Sequence, residues 1–167
     1  MRVIHLTTFW TVILDILVWF IIHMAIVLVM VRLPRDRFHP DGFIYRPRSW
    51  EKEGRLYINV FHIKHWKWIL PDGARWMKSK GFPKKQLASR DMDYLATFAV
   101  ETCRAELTHW TTILMAPFFF LWNKPAVGWI MIIYALAENL PLIMAQRYNR
   151  CRLFSVGRKF QQRGYAK

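Results

Sequence analysis

The motifs by which soluble transferases and hydrolases are usually read are missing from this chain. It has no GxSxG elbow, no HxxxxD box, no P-loop and no GxGxxG. It has only two cysteines, Cys103 and Cys151, far apart and without CxxC spacing, which argues against a zinc site. Each lies in a polar cluster read below as facing the reducing side, so free thiols are expected rather than a disulfide. Acidic residues are scarce: 11 Asp and Glu stand against 25 Lys and Arg, for a formal net charge of +14. There are no internal repeats and no low-complexity tracts. Nor does a small-residue cleavage site follow the amino-terminal apolar run, which only Arg2 precedes. That run is therefore read as a retained span, not a signal peptide.

What the chain does have is apolar and aromatic: 54% hydrophobic residues, with nine Trp and twelve Phe. These residues fall in long blocks, which fits a nucleic-acid binder poorly. It fits a small integral membrane protein whose basic parts face an anionic leaflet. Val3 to Val31 is nearly continuous, broken by His5, Asp15 and His23, and a span needs about 20 apolar residues. Thr111 to Trp122 is short for a span unless its helix begins near Met92. Asn123-Lys124-Pro125 then reads as a tight turn, and Ala126 to Ala145 returns as the second arm of a hairpin. Fifteen of the 25 Lys and Arg lie between Arg32 and Arg90, and seven more from Arg147 onward. Three spans with the amino end outside put both rich regions in the cytoplasm.

The expected fold is thus an all-α integral membrane protein with about three transmembrane helices. Residues 1–32 form the first, 33–91 a basic, aromatic interfacial region, 92–153 a hairpin carrying the polar clusters, and 154–167 a basic tail. In the interfacial region, 56–70 mixes aromatics with His62, Lys64, His65 and Lys67. Trp66, Lys67 and Trp68 suit a headgroup layer. Alternation at Tyr57, Asn59, Phe61 and Ile63 also allows a strand, so helix and strand both stay open.

The chemistry concentrates at two helix ends. Residues 101–110 read Glu-Thr-Cys-Arg-Ala-Glu-Leu-Thr-His-Trp, and 146–152 read Gln-Arg-Tyr-Asn-Arg-Cys-Arg. At about 100° per residue, Thr102, Glu106 and His109 share one helical face, and Glu101, Arg104 and Thr108 the neighbouring one. Glu106 and His109 stand at i,i+3, close enough for the carboxylate to orient the imidazole as a general base. The plainer alternative is an interfacial histidine beside a local carboxylate, with Glu101–Arg104 an ordinary helix pair. Asn139, Gln146 and Arg150 stand at i, i+7 and i+11, giving one polar stripe with Glu138 and Asn149 beside it. Such a stripe in a span demands partners. It would either lock two helices together or build a site where arginines neutralise a phosphate or an oxyanion. Asp15 and His23 could each donate to the hairpin, most simply in a structural role. His39, His62 and His65 support no metal site.

The two clusters, Glu101-Thr-x-Arg104-Ala-Glu106-Leu-x-His109-Trp110 and Gln146-Arg147-Tyr148-Asn149-Arg150-x-Arg152-Leu153, resemble the signature stretches of the glycosyl-4,4'-diaponeurosporenoate acyltransferases. These are small bacterial membrane proteins of staphyloxanthin-type carotenoid biosynthesis. Phe61, Trp66, Lys67, Asp72 and Gly73 are similar to that family's middle region, and Cys151 replaces an expected proline. The resemblance implies transfer of a fatty acyl group from acyl-CoA or a similar thioester, a co-substrate with no other cofactor, to a sugar hydroxyl of a glycosylated carotenoid or similar membrane glycolipid. It implies a bacterial cell membrane as the location. In that frame His109, Glu106 and Glu101 are the expected catalytic residues. Arg104, Arg147, Asn149, Arg150, Gln146 and Asn139 are the expected substrate-binding set. The basic region would meet acyl-CoA and anionic headgroups. A different class of reading is a non-catalytic subunit of a larger, pigment-containing membrane complex, with the same clusters as assembly contacts.

Overall fold

A computed structural model describes residues 6–70 and 92–162, with side chains described as far as Lys159. Asp72 and Gly73, and the tail beyond residue 162, lie outside the described residues. All regular structure among these residues is helical. Five α-helices occur in order: α1 (Thr8–Arg32), α2 (Arg55–Asn59), α3 (Ile63–Trp66), α4 (Met92–Met115) and α5 (Pro125–Gln162). Short 3₁₀ turns fill some of the connections.

The helices α1 and α5 are long and apolar enough to cross a membrane. Helix α4 has the length, but Asp93, Glu101, Arg104 and Glu106 dilute its apolar character. It also stops at Met115, and a 3₁₀ turn over Ala116–Leu121 continues the chain. Pro117 near the start of that turn explains the break, because its ring removes an N–H and clashes with the preceding turn. In α5, by contrast, Pro141 is tolerated inside one helix of 38 residues. The helix runs on through most of the segment expected to be a separate tail.

The strand considered for 56–70 does not form. Helices α2 and α3 and the 3₁₀ turn Lys67–Ile69 occupy it. His62, at φ 48°, makes the corner between α2 and α3.

The chain divides into two compact units. The first comprises Met1–Leu33 and Leu107–Pro141. Its core is Trp19, Ala116, Phe119 and Ala135, with the Trp19 and Phe119 rings stacked at 4.6 Å. The Asp15 carboxylate is buried in this unit and accepts from Trp122 Nε1 and Asn123 Nδ2, each at 2.8 Å. Asp15 thus meets the turn that opens α5, as expected of a structural partner.

The second unit comprises Pro34–Glu106 and Leu142–Lys167. One of its cores is Tyr57, Ile63, Ala145, Tyr148 and Cys151, and another is Leu95, Phe98, Ala99 and Leu153. The 3₁₀ segment Ser49–Gly54 bends through three successive left-handed residues, Lys52 (φ 47°), Glu53 (φ 56°) and Gly54 (φ 90°). A Cβ on Gly54 would lie 3.3 Å from Cys151 Cβ and 3.4 Å from Tyr148 Cδ2. The turn therefore presses directly on α5. Left-handed non-glycine residues cost about 1–2 kcal/mol each, so contacts on either side must hold the turn in place.

Candidate functional site

What holds that turn is Glu51. It is fully buried, and its two oxygens accept four hydrogen bonds. Oε1 takes the Tyr57 hydroxyl at 2.5 Å and Arg147 Nε at 2.9 Å. Oε2 takes the Arg48 amide at 2.5 Å and Arg147 Nη2 at 3.0 Å. Arg147 thus grips Glu51 with two parallel bonds, the strongest geometry open to this pair. Its remaining terminal nitrogen, Nη1, donates to Glu106 Oε1 at 3.0 Å. Arg150 Nη2 binds the other Glu106 oxygen. Arg150 also donates Nε to the Tyr45 carbonyl at 2.8 Å and Nη1 to Thr102 Oγ1 at 3.2 Å.

Two carboxylates and two guanidiniums therefore form one continuous, charge-balanced network inside the second unit. Burial alone would push the Glu51 carboxyl up, but the bonds from Arg147, the Arg48 amide and Tyr57 outweigh it and hold the carboxyl below its ordinary value. Burial and the neighbouring Glu51 carboxylate push the Tyr57 hydroxyl well above its ordinary value. Tyr45 is raised too, first by burial.

The expected substrate-binding arginines are thus largely turned inward. A phosphate would have to displace carboxylates to reach Arg147 or Arg150. Glu101 is buried and lies 3.2 Å from Arg104 Nη1 and 3.4 Å from Arg35 Nε, so it sits between two cations. The Arg104 guanidinium also lies over Phe38, 5.2 Å from the ring centroid. Lys67 Nζ donates to Asn149 Oδ1 and sits 5.4 Å from the Tyr148 ring centroid. Trp66 packs against the Tyr57 core and donates Nε1 to the Phe61 carbonyl at 2.7 Å. Of the three residues expected at the headgroup layer, only Trp68 is broadly exposed. Gln146 is buried, and its Oε1 has no hydrogen-bond partner.

His109 and Asn139 fall in the first unit. His109 Nδ1 lies 2.9 Å from Asn139 Oδ1. Asn139 is itself buried, and its Nδ2 donates to the Ala135 carbonyl at 2.9 Å. That second bond aims Oδ1, an acceptor, at the imidazole, so Nδ1 carries the proton and Nε2 is the basic nitrogen of the neutral ring. Glu106, expected to orient His109, directs its oxygens to Arg147 and Arg150, and Asn139 is an orienting partner of His109 that the helical spacing did not single out. In the same unit His23 Nδ1 lies 2.8 Å from the Trp19 carbonyl, and its Nε2 is 3.6 Å from Glu138 Oε2. The expectation that His23 reaches the hairpin is met at Glu138. Ionisable groups at the centre of a span cost on the order of 2.5–3.5 kcal/mol each, so this concentration in apolar helices is a functional signal.

A family model described as glycosyl-4,4'-diaponeurosporenoate acyltransferase matches residues 41–159, a range that takes in both polar clusters. The chain belongs to that acyltransferase family. Relatives bearing the same name in Staphylococcus aureus strains MRSA252, N315 and USA300 are each 32% identical over 148 residues, covering 87% of either chain. No solved structure matches. Membership of the glycosyl-4,4'-diaponeurosporenoate acyltransferase family bears out the resemblance seen in the sequence. Glu51 was missed by sequence reasoning, although it lies inside the matched range. The only local signal was an acid in a strongly basic segment, and its partner Arg147 is 96 residues away.

Proposed function

We propose that this chain is a membrane O-acyltransferase that moves a fatty acyl group from acyl-CoA to a sugar hydroxyl of a membrane glycolipid. The acceptor class is a glycosylated carotenoid, as its relatives' name indicates. One observation carries the reading: the His109–Asn139 pair, in which the amide oxygen accepts from Nδ1 and so makes Nε2 the basic nitrogen whenever the ring is neutral. In the reaction Nε2 takes the proton of the acceptor hydroxyl as its oxygen attacks the thioester carbonyl. The C–O bond forms, the C–S bond breaks, and the proton passes to the departing thiolate. Asn139 is a positioning residue.

The membrane setting is supported by the length and apolar character of α1 and α5. In this reading α4 and the 3₁₀ turn after it supply a third crossing, the amino end lies outside, and the basic regions face the cytoplasm of a bacterial cell. The excess of cations draws acyl-CoA, which carries several negative charges, to that side. Arg147 and Arg150 serve as the internal lock of their own unit.

The test uses the full chain in lipid nanodiscs, with palmitoyl-CoA as donor and glycosyl-4,4'-diaponeurosporenoate as acceptor. Product is followed by mass. The parent chain acylates the acceptor, and His109→Ala lowers kcat by about 10²–10⁴, the range for loss of a general base. Asn139→Leu lowers it less. A well-folded His109→Ala protein with parental kcat would refute the assignment.

A further inference from the structure

Residues 38–50 form a loop of the second unit that α5 holds from behind. The Gly42 amide donates to the His39 carbonyl at 2.9 Å, and the Gly42 carbonyl accepts from the Tyr45 and Arg46 amides at 3.1 and 2.9 Å. Tyr45 is buried, and its carbonyl takes Arg150 Nε. Farther on, the Arg48 amide donates to Glu51, which Arg147 grips. Held at these two anchors, the loop turns apolar side chains outward: Phe43 is 74% exposed, Ile44 68% and Trp50 57%. The Arg46 and Arg48 guanidiniums lie over the Phe43 ring, 5.5 and 4.6 Å from its centroid. Arg48 Nη2 also donates to the Phe43 carbonyl at 2.5 Å. No acid lies between Gly42 and Trp50. Apolar tips and two cations are thus displayed together on a fixed turn.

The anchors also set the level of the loop along α5. The apolar stretch of that helix ends at Ala145, and Arg147 and Arg150 lie two and five residues beyond it. At a rise of 1.5 Å per residue those positions are about 3 and 7 Å farther on. A headgroup layer is roughly 5–7 Å thick on each side of the hydrocarbon core, so the loop is tied to α5 at headgroup level. An anionic leaflet offers phosphates to guanidiniums and acyl chains to apolar tips. Arginine stems can lie along an aromatic ring while their heads reach phosphate. We propose that residues 42–50 are a rigid membrane-insertion loop. Phe43 and Ile44 enter the acyl boundary of an anionic leaflet, and Arg46 and Arg48 bind its lipid phosphates. The loop takes the role expected of Trp66 and Lys67, which pack against the Tyr57 core and bind Asn149 instead. This inference rests on the membrane setting proposed above and not on the acyl-transfer chemistry.

A nitroxide on Ile44→Cys in the full chain reads depth by power-saturation EPR, from its accessibility to oxygen in lipid and to a nickel chelate in water. Cys103 and Cys151 are buried, and the parent chain treated with the same reagent supplies the blank. A second label on Phe20→Cys, an exposed position midway along α1, marks the hydrocarbon core. In nanodiscs rich in phosphatidylglycerol the label at 44 is expected below the phosphates, with oxygen favoured over nickel. Pure phosphatidylcholine, or Arg46→Gln combined with Arg48→Gln, should move it toward water. Arg46→Gln alone keeps the Arg48 bond to the Phe43 carbonyl and should give a partial shift. With the label at 20 in lipid, free access of nickel to 44 in both lipids overturns the loop alone. A label at 44 equally buried in both lipids and in both arginine variants overturns it too, because the guanidiniums then bind no lipid phosphate. If the variants weaken palmitoyl-CoA binding without changing depth, the patch holds the acyl donor and the proposal fails. If nickel reaches the label at 20, the membrane setting fails and takes the loop with it.

Discussion

Replacing Glu51 by Gln keeps the shape of the side chain and removes its charge. Four donors converge on this carboxylate, two of them from Arg147. An amide can present only one oxygen to them, and its NH₂ group would face another donor. Removing one partner of a buried ion pair costs about 3–5 kcal/mol. Because Arg147 keeps Glu106, the lower end, about 3 kcal/mol, is expected for Glu51→Gln, and about 5 kcal/mol for Glu51→Leu. Urea unfolding in mild detergent, followed by tryptophan fluorescence, reads both. A double-mutant cycle with Arg147→Met isolates the pair, and the double variant should be markedly more stable than the summed single losses imply. The same carboxyl makes stability depend on acid. Its folded-state value lies below the ordinary one, so its contribution is complete above about pH 4.3 and is lost as pH falls through the folded-state value. Glu51→Gln should flatten that part of the acid profile. A Glu51→Gln chain within about 0.5 kcal/mol of its parent, or an additive cycle, would refute the network as a stabilising element.

Further outcomes follow from the same contacts. Gly54→Ala places a Cβ at φ 90° and 3.3 Å from Cys151 Cβ, and should cost at least about 1–2 kcal/mol in the same unfolding assay. Asp15→Leu strips the acceptor from Trp122 Nε1 and Asn123 Nδ2. At about 1–3 kcal/mol for each stranded donor, it should lower the thermal midpoint clearly, and an unchanged midpoint would show that neither bond matters. Tyr57→Phe removes one bond to a charged acceptor, and about 1.5–3 kcal/mol of stability should go with it.

Much of the helical content was legible along the chain. The first apolar run became α1, and the run after Pro125 became α5, because hydrophobic length and helix punctuation are local properties. Residues 56–70 were harder: alternation at Tyr57, Asn59, Phe61 and Ile63 permits a strand, and a strand needs an edge to pair with. None forms among the described residues, and the segment instead coils in short turns that bury Tyr57 and Ile63. The polar residues of α4 read as a membrane boundary, and the partners that bury Glu106, Arg147 and Arg150 could not be named from the helix alone.

The polar clusters show where the one-dimensional reading stops. Residue type and helical phase alone determined that Glu106, His109, Asn139, Arg147 and Arg150 would need partners, since unpaired polar groups in apolar helices are too costly to keep. Which partner each one takes was decided by the tertiary structure. A helix face offers every side chain several neighbours within reach, and contacts as distant as Glu51–Arg147 exist only once the chain has folded. That is why Asn139, thirty residues along the chain, meets His109 Nδ1, and why two arginines that looked ready for a phosphate are committed to carboxylates.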